Sequence, residues 1–290
     1  MNAEEFLREA LESDACPENF TEIYREFQTY QTAALSTLTE LHRVCEINHV
    51  NYQLAYGSLL GVIRDGGQIP WDYDIDVIVP YEEKEALIQA LEKDLDPGYY
   101  YYCPEKNKHC RHMIMRLAPV EYKTEAIHVD VFFLIGSPED PQERRDFEVL
   151  VRRISVRRYG KLVNAWEESN GSFRRYARLL LKFKLPAIFA SLSAIEEEYK
   201  ALCSRYSSQK SSFCISADSY ATWKDYPTKL MWETVIIQTD FGPIRIPVHY
   251  KEILELCYGD YMTVPPLEKR IQDVIHQQRR IRRFNEQNHK

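Results

Sequence analysis

The stretch IPWDYDIDVIVP carries an aspartate at every second position, at Asp72, Asp74 and Asp76. Side chains of an extended strand alternate between faces, so Asp74 and Asp76 project together while Ile75, Val77 and Val79 project the other way. Like charges on one strand face repel, and aspartate is a poor strand former. At this spacing the oxygens can share one hard cation or bridge two, and Mg²⁺ is commonly held by one or two carboxylates together with substrate phosphates. A third carboxylate, Asp130, interrupts the apolar run IHVDVFFLI. With Val129, Val131 and Phe133 on a core, Asp130 takes the opposite face, where a neighbouring strand brings it to the same cation. Three carboxylates around one or two divalent ions, Mg²⁺ or Mn²⁺, suit in-line displacement at phosphorus. Asp72, just after Pro70-Trp71, reads equally well as a turn residue.

An anion site is expected upstream of these carboxylates. The run YQLAYG ends in Gly57-Ser58 and leads into SLLGVIRD, a strand-turn-helix in which backbone N–H groups and the serine hydroxyl can approach a phosphate. By itself Gly57-Ser58 reads as a simple helix cap. Arg64 follows one or two helical turns later, with a planar fork suited to phosphate. Gly57, Ser58, Leu59, Arg64 and Asp72 form the expected binding set around the acidic pair.

The elements that must position these residues follow from periodicity. Helices are expected over 3–13 and 19–49, a strand over 52–57, helical character after Gly57, a strand in DIDVIVP and a helix over about 81–95. Strands in YYYYC, HMIMRLA and IHVDVFFLI come next. From about 139 to 206 the chain reads as mainly helical, followed by a short β-like piece, VIIQTDFGPIRIP, and a helix before CYGDYMTVPP. The fold class is therefore α+β with a mixed sheet and a mainly helical C-terminal half. It divides into a helical segment 1–50, a core 51–137 and a helical region 138–290.

The run GSLLGVIRDGGQIPWDYDIDVIVP resembles the signature of LicD-type phosphotransferases, relatives of the fukutin and fukutin-related proteins. HVDVF resembles that family's third acidic motif and YGDYMTVPP its C-terminal element. The resemblance implies a DNA-polymerase-beta-like nucleotidyltransferase fold. It also implies transfer of a phosphoryl-alcohol such as phosphocholine from a CDP-linked donor, CDP-choline or a CDP-alditol, to a glycan acceptor of the teichoic acid, lipopolysaccharide or capsule type, with CMP leaving. By the same resemblance Gly57, Ser58 and Arg64 would hold donor phosphates, and Asp74, Asp76 and Asp130 would hold Mg²⁺. Tyr73 departs from the pattern, where an aspartate is common. Two other readings use the same residues: a nucleotidyltransferase acting on a nucleoside triphosphate, and a non-catalytic nucleotide- or glycan-binding scaffold.

The 290 residues carry 37 Lys and Arg against 44 Asp and Glu, a formal net charge of −7, which argues against non-specific nucleic-acid binding as the main function. The acidic start MNAEEFLREALESDACPENF lacks a signal peptide's basic n-region and apolar run, and no stretch reaches a membrane span's length, so a cytoplasmic protein is expected. Seven scattered cysteines fit reduced thiols better than a disulfide framework. Cys103, His109, Cys110 and His112 lie close together, but their spacing matches no common zinc pattern, and a polar loop is the default. Basic residues concentrate between Arg152 and Lys184 and run into LLLKFKLPAIFASL. Over residues 174–192 this reads either as a solvated helix face or as peripheral contact with an anionic membrane carrying a lipid-linked acceptor.

Overall fold

The computed structural model of the chain describes residues 1–122, 127–169, 171–218 and 224–288. Helix α1 (Ala3–Leu11) is closed by a reciprocal cap: the Asn2 side chain accepts the Glu5 N–H, and the Glu5 carboxylate accepts the Asn2 N–H. Helix α2 (Phe20–Ile47) buries Phe20, Tyr24, Phe27, Ala34, Leu38, Leu41 and Val44 along one stripe. Strand β1 (Gln53–Leu54) is shorter than the expected 52–57. Helix α3 (Tyr56–Leu60) follows at once and continues as a π-helical turn, Gly61–Asp65. Then come β2 (Ile75–Pro80), α4 (Lys84–Asp94), β3 (Tyr99–Tyr102), β4 (Met115–Pro119) and β5 (Val129–Ser137).

The second half opens with α5 (Pro141–Leu162), capped by Asp140 with proline at the first helical position. It continues with α6 (Ala165–Glu168), α7 (Phe173–Leu179), a second π-helical turn (Leu180–Lys184), α8 (Leu185–Ala187) and α9 (Leu192–Cys203). Strands β6 (Phe213–Ser216) and β7 (Tyr226–Pro227) lead to a hairpin of β8 (Thr234–Thr239) and β9 (Gly242–Pro247), then α10 (Tyr250–Tyr258) and α11 (Leu267–Asn288).

Among the described residues the main sheet has seven strands and is mixed. Its centre is β5, whose nine residues are long enough to serve two partners along one edge: β4 pairs with its first part and β6 with its last. Strand β2 runs parallel to β5 along the other edge, and β1 and β3 close the sides. The second half is thus not only helical, because β6 and β7 extend the sheet of the first half. Phe6 and Phe27, Val77 and Val131, and Ile195 and Ile281 all belong to one apolar core. The segments 1–50, 51–137 and 138–290 therefore share their hydrophobic stabilisation. Helix α2 packs on β2, β4 and β5, and α3 packs between β2 and α10. Among the described residues no helix is long and apolar enough to cross a membrane.

Candidate active site

The parallel register sets Asp76 beside Asp130, and the antiparallel register on the other side sets Arg116 beside Asp130 and Tyr102 beside Arg116. Register partners point to the same face of a sheet. Tyr102, Arg116, Asp130 and Asp76 therefore form one row across four strands. Arg116 Nε donates to Asp130 Oδ1 at 2.6 Å, and His128 Nε2 lies 3.1 Å from the same oxygen. His128 precedes Asp130 by two residues, which puts both on one side of the chain. Asp74 sits one residue before β2 and is exposed, whereas Asp76 is half-buried.

Burial pushes the Asp76 carboxyl well above its ordinary range, and the nearby charges of Asp130, Asp74 and Asp72 push it further. Asp74 is open to water on one side but surrounded by protein on the others. That desolvation and Asp130 raise its pKa against the opposing pull of His128 and Arg280. Asp130 behaves oppositely: burial pushes it up, but His128 and Arg116 outweigh this and hold it well below the usual carboxylate range. The cleft therefore contains one fully compensated carboxylate, Asp130, beside Asp74 and Asp76, which are compensated only in part. A carboxylate so firmly ionised is a weak proton acceptor and a strong electrostatic anchor.

The expected anion site is built differently. Ser58 is buried, and its hydroxyl accepts the Asp76 N–H at 2.8 Å and reaches the Asp74 carbonyl at 3.5 Å. In this arrangement it fastens the acidic strand in place. Leu59 is fully buried, and its N–H is bonded to the Ala55 carbonyl at 3.1 Å. Arg64 forms a buried pair with Asp65, Nη2 to Oδ2 at 2.8 Å, and lies 5.5 Å from the Trp71 ring. Gly57 is the point of close approach: a Cβ there would come within 3.2 Å of Asp72 Oδ2.

Asp72 is more than a turn residue. Its Oδ1 accepts the Asp74 N–H at 3.3 Å, and burial together with Asp74 raises its pKa to about 7. Gln31 of α2 donates to the carbonyls of Ile69 and Asp72, tying this loop to the helix beneath it. Tyr73, the departure from the family pattern, is buried and meets Phe27 edge-on at 6.4 Å, so this position belongs to the core. Just before Gly57, Tyr56 takes a left-handed φ of 46°, and its ring is held edge-on to Phe132 at 5.4 Å. Such backbone strain persists where the surrounding packing over-determines it.

Four residues beside the acidic set escaped the sequence reading. Arg116 sits inside the apolar strand MIMRLA, and a lone arginine there is itself a signal that a buried anion must meet it. His128 begins the HVDVF run. Tyr258, in the C-terminal motif, lies within electrostatic reach of Asp76, Asp72 and Arg64. Arg280 is exposed on α11, and its charge is felt at Asp74. The partners of Tyr258 and Arg280 are far away in sequence, so no local pattern shows that these two reach the acidic set.

The donor set fits a hard divalent cation in type and charge: carboxylate oxygens, with the pKa values of Asp74 and Asp76 raised by burial and then by negative neighbours. Among the described residues no three His, Cys, Asp or Glu side chains already converge as a ligand cage. Asp130 is occupied by Arg116 and His128 in this arrangement. Asp74 and Asp76 are thus the pair with unmet charge. Cys103, His109, Cys110 and His112, all among the described residues, form no such cage. Cys110 is buried with Sγ directed at the His112 carbonyl, His109 is exposed, and burial followed by Arg116 lowers the His112 pKa to about 4.

Residues 49–152 match the family model described as LicD/FKTN/FKRP, nucleotidyltransferase domain. The chain is 26% identical over 253 residues to the lipopolysaccharide cholinephosphotransferase LicD of Haemophilus influenzae, an alignment covering 82% of this chain and 92% of that protein. It is also 32% identical over 62 residues to an uncharacterised protein of Rickettsia prowazekii, covering 21% of this chain and 23% of that one. The matched segment contains every residue of the acidic row and the glycine-serine turn.

Proposed function

We propose, with the LicD-family domain at residues 49–152 as premise, that this chain transfers a phosphoryl-alcohol to a glycan. The alcohol is phosphocholine in first place, the donor is CDP-linked, and the acceptor is a hydroxyl of a cell-surface glycan precursor of the lipopolysaccharide, teichoic acid or capsule type. The observation that carries this reading is the row in which Asp76, with its raised pKa, stands beside an Asp130 locked to Arg116. The similarity to a cholinephosphotransferase over most of the chain supports phosphocholine above other alcohols. The sheet around the row is read as a polymerase-beta-like nucleotidyltransferase core, and the protein as cytoplasmic, at the inner face of the membrane.

In this reading the acceptor oxygen forms a bond to the phosphorus bearing the alcohol. The bond from that phosphorus to the bridging oxygen of the pyrophosphate breaks, CMP leaves with the bridging oxygen, and the acceptor proton passes to solvent on the open side of Asp74. Asp74 and Asp76 would hold Mg²⁺ or Mn²⁺, which supplies charge neutralisation at the donor phosphates when bound. Asp130 anchors the row, and Arg116 places a fixed positive charge beside the reacting phosphoryl group. Arg280, whose charge is felt at Asp74, would meet a donor phosphate, while Ser58 and Asp72 hold the acidic segment in line. Positioning and electrostatics do most of the work in such transfers.

The deciding experiment incubates the protein with CDP-choline, CDP-ribitol, CDP-glycerol or nucleoside triphosphates and a glycan acceptor panel, with and without Mg²⁺. CMP release with a phosphoryl-alcohol mass gain on the acceptor supports the reading. Pyrophosphate release from a nucleoside triphosphate assigns nucleotidyl transfer instead, and donor binding without turnover across the panel assigns a scaffold.

A further inference from the structure

Residues 173–187 form one continuous helical rod, α7, the π-helical turn and α8, whose outer face has no cover among the described residues. Phe173, Leu181 and Leu185 follow one another at multiples of four residues and are 76%, 66% and 52% exposed, and Phe189, in the turn just beyond the rod, is 99% exposed. In an α-helix, positions four apart drift slowly around the axis. A π-helical turn holds more residues per turn and reduces that drift, keeping this apolar stripe on one side. Arg174, Arg178 and Lys182 form a second stripe, each one position after an apolar one, and Arg175 and Lys184 add to it. None of these five has an ion-pair partner among the described residues.

The inner face is fixed to the body. Phe183 meets Tyr159 of α5 at 4.8 Å, Ala187 is buried, and Lys161 donates to the Ile188 carbonyl at 3.0 Å. Gly160 lets the rod lie this close, because a Cβ there would clash with the Phe183 carbonyl. The outer stripe is therefore a rigid, presented surface. Tyr159 also contacts His112, at 6.1 Å between rings, and the His112 pKa is lowered in part by Arg116 of the acidic row. Two ring contacts thus link the rod to His112.

We infer that this rod is an interfacial membrane anchor that lies on an anionic lipid bilayer, with Phe173, Leu181, Leu185 and Phe189 in the acyl boundary and Arg174, Arg178 and Lys182 on the headgroups. Charge complementarity selects this occupant: five unpaired cations gather along one apolar stripe of a chain whose net charge is −7. No helix among the described residues is apolar and long enough to span, so the rod lies in the plane of the surface. The inference is independent of the chemistry of the cleft. It can fail while transfer stands, and the reverse also holds.

The test is co-sedimentation of the full chain with vesicles of phosphatidylcholine alone and of phosphatidylcholine mixed with phosphatidylglycerol. Wild type is expected to bind the anionic vesicles and to be released by high salt. The variants Leu185→Ser/Phe189→Ser and Arg174→Glu/Arg178→Glu/Lys182→Glu should each lose about tenfold or more in affinity. All five positions are exposed, so circular dichroism and donor-stage transfer to a soluble acceptor are expected to remain as in wild type. Equal binding to both vesicle types, or unchanged binding by either variant, overturns the inference. A wild-type dimer on size-exclusion chromatography that Leu185→Ser/Phe189→Ser dissolves also overturns it and assigns the stripe to a second copy of the chain.

Discussion

Asp76 and Asp130 are register partners on adjacent parallel strands, yet their acidities are driven in opposite directions. The difference lies in what stands on the far side of each. Asp130 has Arg116 and His128 within hydrogen-bond distance, whereas the charges around Asp76 are mostly like its own. One row of a sheet therefore holds both an anchored anion and an anion that gains from a cation.

Asp76→Asn should reduce transfer by at least about 10²–10³-fold, the range for losing one preorganised electrostatic group. The same change removes a repulsive charge, so the metal-free protein should melt at an equal or higher temperature. Turnover assays with Mg²⁺ beside calorimetry without it check both halves, and near-normal turnover would remove Asp76 from the site.

Arg116→Met should be costly to the fold. It leaves Asp130, mostly buried, without one of its two positive neighbours, and breaking such a pair costs about 3 kcal/mol. Adding Asp130→Asn to Arg116→Met should recover much of that stability without restoring activity. Urea denaturation of the two single variants and the double variant measures the coupling, and simple additivity would show that the pair is not energetically linked.

Ser58→Ala leaves the Asp76 N–H without its partner and should cost about 1–3 kcal/mol. If Ser58 acts only by fastening the strand, donor affinity should change little while kcat falls. A large loss of donor affinity with unchanged stability would return the hydroxyl to the phosphate.

The pH dependence follows from Asp72, whose pKa rises on folding from about 3.8 to about 7. A carboxyl whose pKa rises on folding holds its proton more tightly in the folded chain. Its contribution is fully present below pH 3.8 and is lost as pH climbs towards 7. Metal-free protein should therefore lose stability between about pH 4 and pH 7, and Asp72→Asn should flatten that slope. Mg²⁺ should stabilise more at pH 8 than at pH 5, because protons no longer compete for the cleft. Thermal melts across this range test the claim, and a Mg²⁺ shift that shrinks with pH would contradict it.

Gly160→Val should force the rod away from α5, because the added side chain meets the Phe183 backbone. Overpacking of this kind costs about 1–3 kcal/mol. Limited proteolysis should then cut within 173–189 faster than in wild type, and an unchanged pattern would mean that the rod is held elsewhere.

Much of this protein is legible in its sequence because it depends on local alternation. The period of two in DIDVIVP and HVDVF puts Asp76 and Asp130 off the apolar face, and the runs around them give the strands of a mixed sheet. Gly57-Ser58 announces a turn for the same local reason. The tertiary structure alone decided which strands are neighbours, and hence that Asp76, Asp130 and Arg116 share a row. It also turned the Ser58 hydroxyl and Arg64 inward to the protein's own backbone and to Asp65, and brought Tyr258 and Arg280 towards the cleft from the far end of the chain. Strand order and helix docking are set by the fit of one shared core across the whole chain, and no window of residues contains that information.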